Sequence, residues 1–232
     1  MINSIRSIFQ GEHRIDRNIN FYLIAVLLIN IGFGVIEADF NLYIFSMNMS
    51  PEFLGIILSL APFAQALAAI PLGFMAEKIG SKNAFILINL VVGFSYLLRV
   101  FSPNQNLIMI GSFLVGTVQA GYFIIQMPFI SQYAGEKKDK EYAFTSITLY
   151  SSRAIGNLIG GFLPALLGSL FLNDTLTYRI ILVGACLMIL LGTIPLFFLK
   201  GTNRQTRARS TFPRICMELT KTLLNLRPLN SS

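Results

Sequence analysis

"GFMAEKIGSK", residues 73–82, is the polar interruption on which this chain is organised. An apolar stretch punctuated by Pro62 and Pro71 runs up to it, and a second apolar stretch begins at Ala84. The interruption holds two glycines seven apart, Gly73 and Gly80, with one acid, Glu77, and two lysines, Lys78 and Lys82. A short charged turn between two such stretches reads as a water-facing loop joining two membrane helices.

Composition supports that reading. The chain has 232 residues, 54% of them hydrophobic and 12% charged, with a mean hydropathy of +0.64. A soluble domain carries about 25% charged residues, so this chain has too little polar surface to cover a globule in water. With no Trp, interfacial anchoring falls to Tyr, Lys and Arg. Cys186 lies in an apolar segment and Cys216 in a basic one, which suggests neither a disulfide nor a metal site. The polar, mixed-charge start of the chain is followed by an apolar run too long for a signal-peptide core, so no cleavage is expected.

Six segments meet the requirement of about 20 apolar residues per span: 20–46, 52–77, 83–101, 104–134, 142–172 and 177–199. Ser50-Pro51 reads as an N-cap followed by proline at the first helical position, and Asn173-Asp174 as the turn before the sixth span. The expected fold is all-α: a polytopic membrane protein with a cytoplasmic segment at 1–18, a six-helix bundle at 19–200 and a basic cytoplasmic tail at 201–232. All but three of the 18 Lys and Arg fall at the ends that share one side; the exceptions are Arg99, Arg153 and Arg179. The positive-inside rule therefore places both termini in the cytoplasm, in the cell membrane. The net charge of +7 is thus mostly a matter of topology, and nothing points to nucleic acid. Residues 211–227 read equally as a surface amphipathic helix, with Ile215, Leu219, Leu223 and Leu226 on one face, or as a disordered linker.

Polar side chains inside a membrane usually face a cavity or a partner helix. Here Asn30, Gly34, Glu37 and Asn41 share a face of the first helix, while Asp39 points away from Glu37. Gln119, Tyr122 and Gln126 align in the fourth, and Ser146, Tyr150, Arg153 and Asn157 in the fifth. Helices one, four and five are expected to line a solute or ion pathway, and the polar-poor third and sixth to face lipid. A plainer reading makes Gln119 and Gln126 interhelical hydrogen bonders, at about 0.6 kcal/mol each. For Glu37 and Asp39 a solvated rim and a coupling-ion site stand level. Arg153 calls for a counter-charge such as Glu37, or an anionic ligand, because an unpaired guanidinium at mid-helix costs about 2.5–3.5 kcal/mol on the insertion scale. Gly156, Gly160 and Gly161, followed by Pro164, suit a tight helix crossing. A membrane-embedded enzyme is disfavoured: the single histidine, His13, precedes the spans, and no nucleophile–base pair, metal cluster or cofactor motif is present in the sequence.

The opening stretch resembles the cytoplasmic loop motif between helices two and three of the major facilitator superfamily, G-x-L-A-D-R-x-G-R-K/R. Gly73, Ala76, Gly80 and Lys82 match directly, and Lys78 keeps the first basic charge. Met75 replaces Leu, Glu77 replaces Asp and Ser81 replaces the middle basic residue. The resemblance covers residues 18–200 and implies the N-terminal half of a twelve-helix transporter for a small solute, working by alternating access. It also implies that the motif acid faces a helix of the other half and latches one state, and that Gly73 admits a close helix approach. Two departures bear on coupling. Ser112 stands where a basic residue four before Gly116 would indicate proton coupling, and Gly161 occupies the proline position of the antiporter motif. The implied partners are the lipid bilayer, a small solute, and either a missing C-terminal half or a second copy in a homodimer. A non-transporting scaffold or regulatory half-transporter is the alternative.

Overall fold

The computed structural model describes residues 17–133, 138–168 and 173–198, and their elements are helices. α1 spans Arg17–Ser46, α2 Pro51–Ile79, α3 Ser81–Phe101, α4 Gln105–Tyr133, α5 Lys138–Leu167 and α6 Asp174–Gly192, with a single turn, α7, at Ile194–Phe197. No strand occurs among the described residues. The candidate surface helix at 211–227 lies outside them.

Local chemistry sets the helix ends. Ser50 Oγ accepts from the Phe53 N–H at 3.3 Å, with Pro51 at the first helical position. Asn173 Oδ1 caps α6 by accepting from the Thr175 N–H at 3.1 Å, and Asp174 in the first turn complements the helix dipole. The sixth span, expected to run to residue 199, is helical from Asp174 to Phe197 with a break at Thr193. Pro195 has no N–H to continue the ladder, and the Thr193 N–H turns to Leu190 O at 3.0 Å. The fifth helix is described to Leu167, with the Gly168 N–H bonded to Pro164 O at 2.8 Å, and residues 169–172 of the expected span lie outside the described residues.

Among the described residues, five helices are long and apolar enough to cross a membrane. α5 is not among them although it is 30 residues long. Arg153, Asn157 and a run of hydroxyl side chains lower its apolarity, so its place with the others rests on length and packing.

α1 packs on α5 and α6, α2 on α4, and α3 on α4 and on α6. Exchanging the first three helices with the last three maps α1–α5 onto α4–α2, maps α1–α6 onto α4–α3, and returns α3–α6 to itself. This is the contact pattern of an internal three-plus-three repeat. Small residues set the corresponding crossings. A Cβ on Gly34 of α1 would lie 2.8 Å from Gly156 Cα of α5, and one on Gly116 of α4 would lie 2.7 Å from Ala61 Cα of α2. Backbones approach this closely only without side chains between them.

The expectation that α3 faces lipid does not hold. Its Asn89, Ser95 and Arg99 are buried, whereas α2 is the helix that exposes most of its length, including Phe63, Leu67 and Ile70. Polar content misled because part of it is turned onto α3 itself: Asn89 Nδ2 donates to Phe85 O at 2.8 Å, and Ser95 Oγ to Val91 O at 2.7 Å.

Candidate solute cavity

The α1/α5/α6 group and the α2/α3/α4 group meet across aromatic side chains, and a cavity of about 200 Å³ lies between them. The rings bridge a gap that backbone contacts do not close. Phe33 of α1 meets Tyr96 of α3 with centroids 5.9 Å apart and Tyr122 of α4 at 6.4 Å, and Tyr22 of α1 meets Phe85 of α3 at 5.7 Å. The polar lining comes from Asn30 on α1, Gln119 and Gln126 on α4, and Tyr142, Ser146, Tyr150 and Arg153 on α5. The cavity extends from Phe33 and Tyr96 toward Gln126 and Tyr142, the end at which α4 gives way to α5.

Individual side chains are held in different ways. Asn30 is buried; its Nδ2 donates to Val26 O at 2.8 Å and to the Tyr122 hydroxyl at 3.4 Å, which fixes the amide against the α4 wall. Gln126 is buried and Gln119 half-buried. Tyr150 lines the cavity yet is 69% exposed. Arg153 of α5 clasps Glu37 of α1 through two parallel hydrogen bonds, Nε to Oε2 at 2.7 Å and Nη2 to Oε1. The fork geometry suits a guanidinium facing a carboxylate, and the guanidinium also lies 5.9 Å from the centre of the Phe33 ring. Thus the sequence-predicted pathway residues Asn30, Gln119, Gln126, Tyr150 and Arg153 converge, with Glu37 as the counter-ion of Arg153.

Asn157 does not join them. It is exposed, and its backbone nitrogen lies under Gly34 at the α1–α5 crossing. Gly156 and Gly160 form the packing face: a Cβ on Gly160 would meet Val35 Cα at 3.1 Å and Asp39 Oδ2 at 3.2 Å. Gly161, expected on the same face, has open space where a Cβ would be, because adjacent helical positions lie 100° apart.

Sequence reasoning missed two buried charges. Asp39 is fully buried, and neither carboxylate oxygen has a hydrogen-bond partner. Arg99 stood out in the sequence only as an exception to the one-sided charge distribution. It is buried, its guanidinium 3.7 Å from the centre of the Phe40 ring. The absence of a side chain at Gly111, which a Cβ would push into Arg99, makes the room; that glycine was the available signal. Among the described residues no group of three or more His, Cys, Asp or Glu is placed to hold a metal.

In the 73–82 turn, Gly80 has φ 80° and ψ 149°, a conformation open essentially to glycine. Its carbonyl accepts from the Ala84 N–H at 3.0 Å, so it starts α3. Lys82 Nζ donates to Phe197 O of α7 at 3.0 Å, tying this turn to the end of the sixth span. Lys78 is exposed. Gly73 is uncrowded: a Cβ there would meet only Ile124 Cγ2, at 4.0 Å, so the close approach expected at this position is not made by helices of this bundle. The Glu77 side chain lies outside the described residues.

A family model for the Major Facilitator Superfamily matches residues 19–229, which takes in every described helix past its first two residues. No curated protein matches the chain. Apolar helices of spanning length, the doubled three-helix packing and a match over most of the chain agree: the protein belongs to the major facilitator superfamily, whose members are membrane transporters.

Proposed function

We propose that the chain moves a small polar solute across the cell membrane by alternating access, together with a second six-helix half, either a separate C-terminal half or a second copy. The observation that carries this reading is the cavity itself. Amides, phenols and Arg153, whose charge Glu37 balances, line a space between two helix groups in an otherwise apolar bundle, and such groups in a membrane mark a pathway more often than a core. The positive-inside bias puts both termini and the 73–82 turn in the cytoplasm. The cavity runs toward that same end, which on this orientation gives solute its entry from the cytoplasm. Large apolar side chains exposed on α2 and α5, Phe63 and Phe162 among them, offer surface for the second half as well as for lipid.

The test is a thermal-shift screen of small solutes on the purified full chain, followed by counterflow of the stabilising solutes in proteoliposomes, with and without a co-expressed second half. Counterflow that Arg153→Ala abolishes supports the reading. Solutes that bind but never cross, in either preparation, would leave a non-transporting regulatory half.

A further inference from the structure

The charges around the aromatic end of the cavity do not balance. Arg153 sits over Phe33, Phe33 packs on Tyr96 at 5.9 Å, and on the far side of Tyr96 the Arg99 guanidinium lies 5.5 Å from the ring centre. Arg153 is matched by Glu37. Arg99 is 6% exposed, its Nε has no partner, and among the described residues no acid pairs with it. The sum is one positive charge in excess beside a cavity-lining ring.

Neither neighbouring source of negative charge cancels it. Arg99 is in the last turn of α3, where the helix dipole supplies roughly half a charge. Asp39 lies against Gly160 at the α1–α5 crossing, and no ion pair joins it to Arg99 among the described residues. Within low-dielectric walls an unbalanced charge acts over several ångströms without contact.

We propose that the cavity takes an organic monoanion, a carboxylate on a small apolar or aromatic body. Arg99 supplies the positive field that selects its charge, the Phe33 and Tyr96 rings receive the body, and Gln119 and Gln126 hydrogen-bond its polar groups. A cationic solute is repelled, and a bare inorganic anion leaves the rings unused. This inference rests on the transport reading of the cavity and names its substrate class.

Calorimetric titration of the purified full chain with benzoate, benzamide and benzylammonium tests it, since the three share a ring and differ in charge. Benzoate is expected to bind at least about tenfold tighter than benzamide, a difference of roughly 1.4 kcal/mol, with benzylammonium weakest. Arg99→Gln should bring benzoate to the affinity of benzamide and leave benzamide unchanged, while Arg99→Lys keeps the preference. If Arg99→Gln does not fold, Arg99→Met, neutral and nearly as long, takes its place. Equal binding of benzoate and benzamide, or a preference that survives loss of the charge at 99, overturns the inference. Displacement of benzoate by chloride as readily as by acetate overturns it in favour of a halide site. In the first case, benzamide binding that Gln119→Ala weakens leaves the cavity standing without its charge selection; no binding of any of the three probes overturns the inference and leaves the transport reading to the solute screen.

Discussion

Arg153 of α5 and Glu37 of α1 hold each other by a two-pronged ion pair beside the point where their helices cross, at the edge of the cavity. The pair is half-wet, with Arg153 25% and Glu37 46% exposed, so its own contribution is about 0–1 kcal/mol. Removing one partner is worse, because it leaves the other charge unmatched inside a membrane bundle. Arg153→Ala and Glu37→Gln should each lower the melting temperature of the purified protein, and the double variant should recover most of the loss. A double-mutant cycle is expected to give a coupling of about 1 kcal/mol. Transport separates the two roles open to Arg153. If it only neutralises Glu37, the double variant regains transport; if it holds solute, the double variant stays inactive and Arg153→Lys is weakened, since an ammonium makes no bidentate contact. Full stability and full transport in Arg153→Ala would end both roles.

The same crossing depends on two glycines. A methyl at Gly34 would strike the α5 backbone at Gly156 Cα, 2.8 Å away, and one at Gly156 would strike α1 in return. Gly34→Ala and Gly156→Ala should each cost about 1–3 kcal/mol, read from thermal unfolding in detergent. Gly161→Ala, five positions on in the same helix, meets nothing and should be neutral or stabilising by up to about 1 kcal/mol from helix propensity. Equal losses at 156 and 161 would mean that the α1–α5 contact is not the one described.

Much of this was legible in the chain because membranes simplify the physics. Span length and capping residues such as Ser50 and Asn173 mark helix limits, and Arg153 demanded an acid, of which Glu37 was the named candidate. Helix rotation was far less legible. Asn157 shares a nominal face with Arg153, yet at a glycine crossing it is turned out of the cavity. The placement of α3 failed for a related reason: an asparagine bonded to its own helix gives the same letter as one facing water. Arg99 stayed hidden because its room is made by Gly111 on another helix.

The proposed orientation is checked with single cysteines in a Cys216→Ser background, with buried Cys186 kept. Cysteines at Asn104 and Asn173, at the turns before α4 and α6, should react with an impermeant thiol reagent on intact cells. One at Asn203 should react only after permeabilisation. Labelling at 203 from outside would reverse the topology.

The 73–82 turn separates an intrabundle effect from an interhalf one. Gly80→Ala strains a backbone with φ 80° and ψ 149° and should cost about 1–3 kcal/mol whether or not a second half is present. Gly73→Leu has open space around it and should leave the melting temperature of the chain alone nearly unchanged. Its damage should appear only in transport by the assembled two-half protein, where bulk at 73 blocks the docking surface of the latch. Normal transport by well-inserted Gly73→Leu would count against the latch.

Asp39 and Glu37 stand two residues apart on α1 and should respond to neutralisation with opposite signs. Glu37 is matched by Arg153, so Glu37→Gln removes a favourable partner and strands a guanidinium. Asp39 has neither exposure nor a hydrogen-bond partner for either oxygen, and it faces Gly160 across the tight α1–α5 crossing. A buried unsatisfied polar group carries a penalty of about 1–3 kcal/mol, more if charged. Asp39→Asn keeps the shape and removes the charge, so the melting temperature should rise. Asp39→Ala should gain less, since a small void offsets the relief. A fall in Asp39→Asn as large as that in Glu37→Gln would show that Asp39 has an ionic partner in the folded protein. A rise in stability together with lost transport would have a different meaning: a carboxylate kept at a stability penalty because the transport cycle uses it.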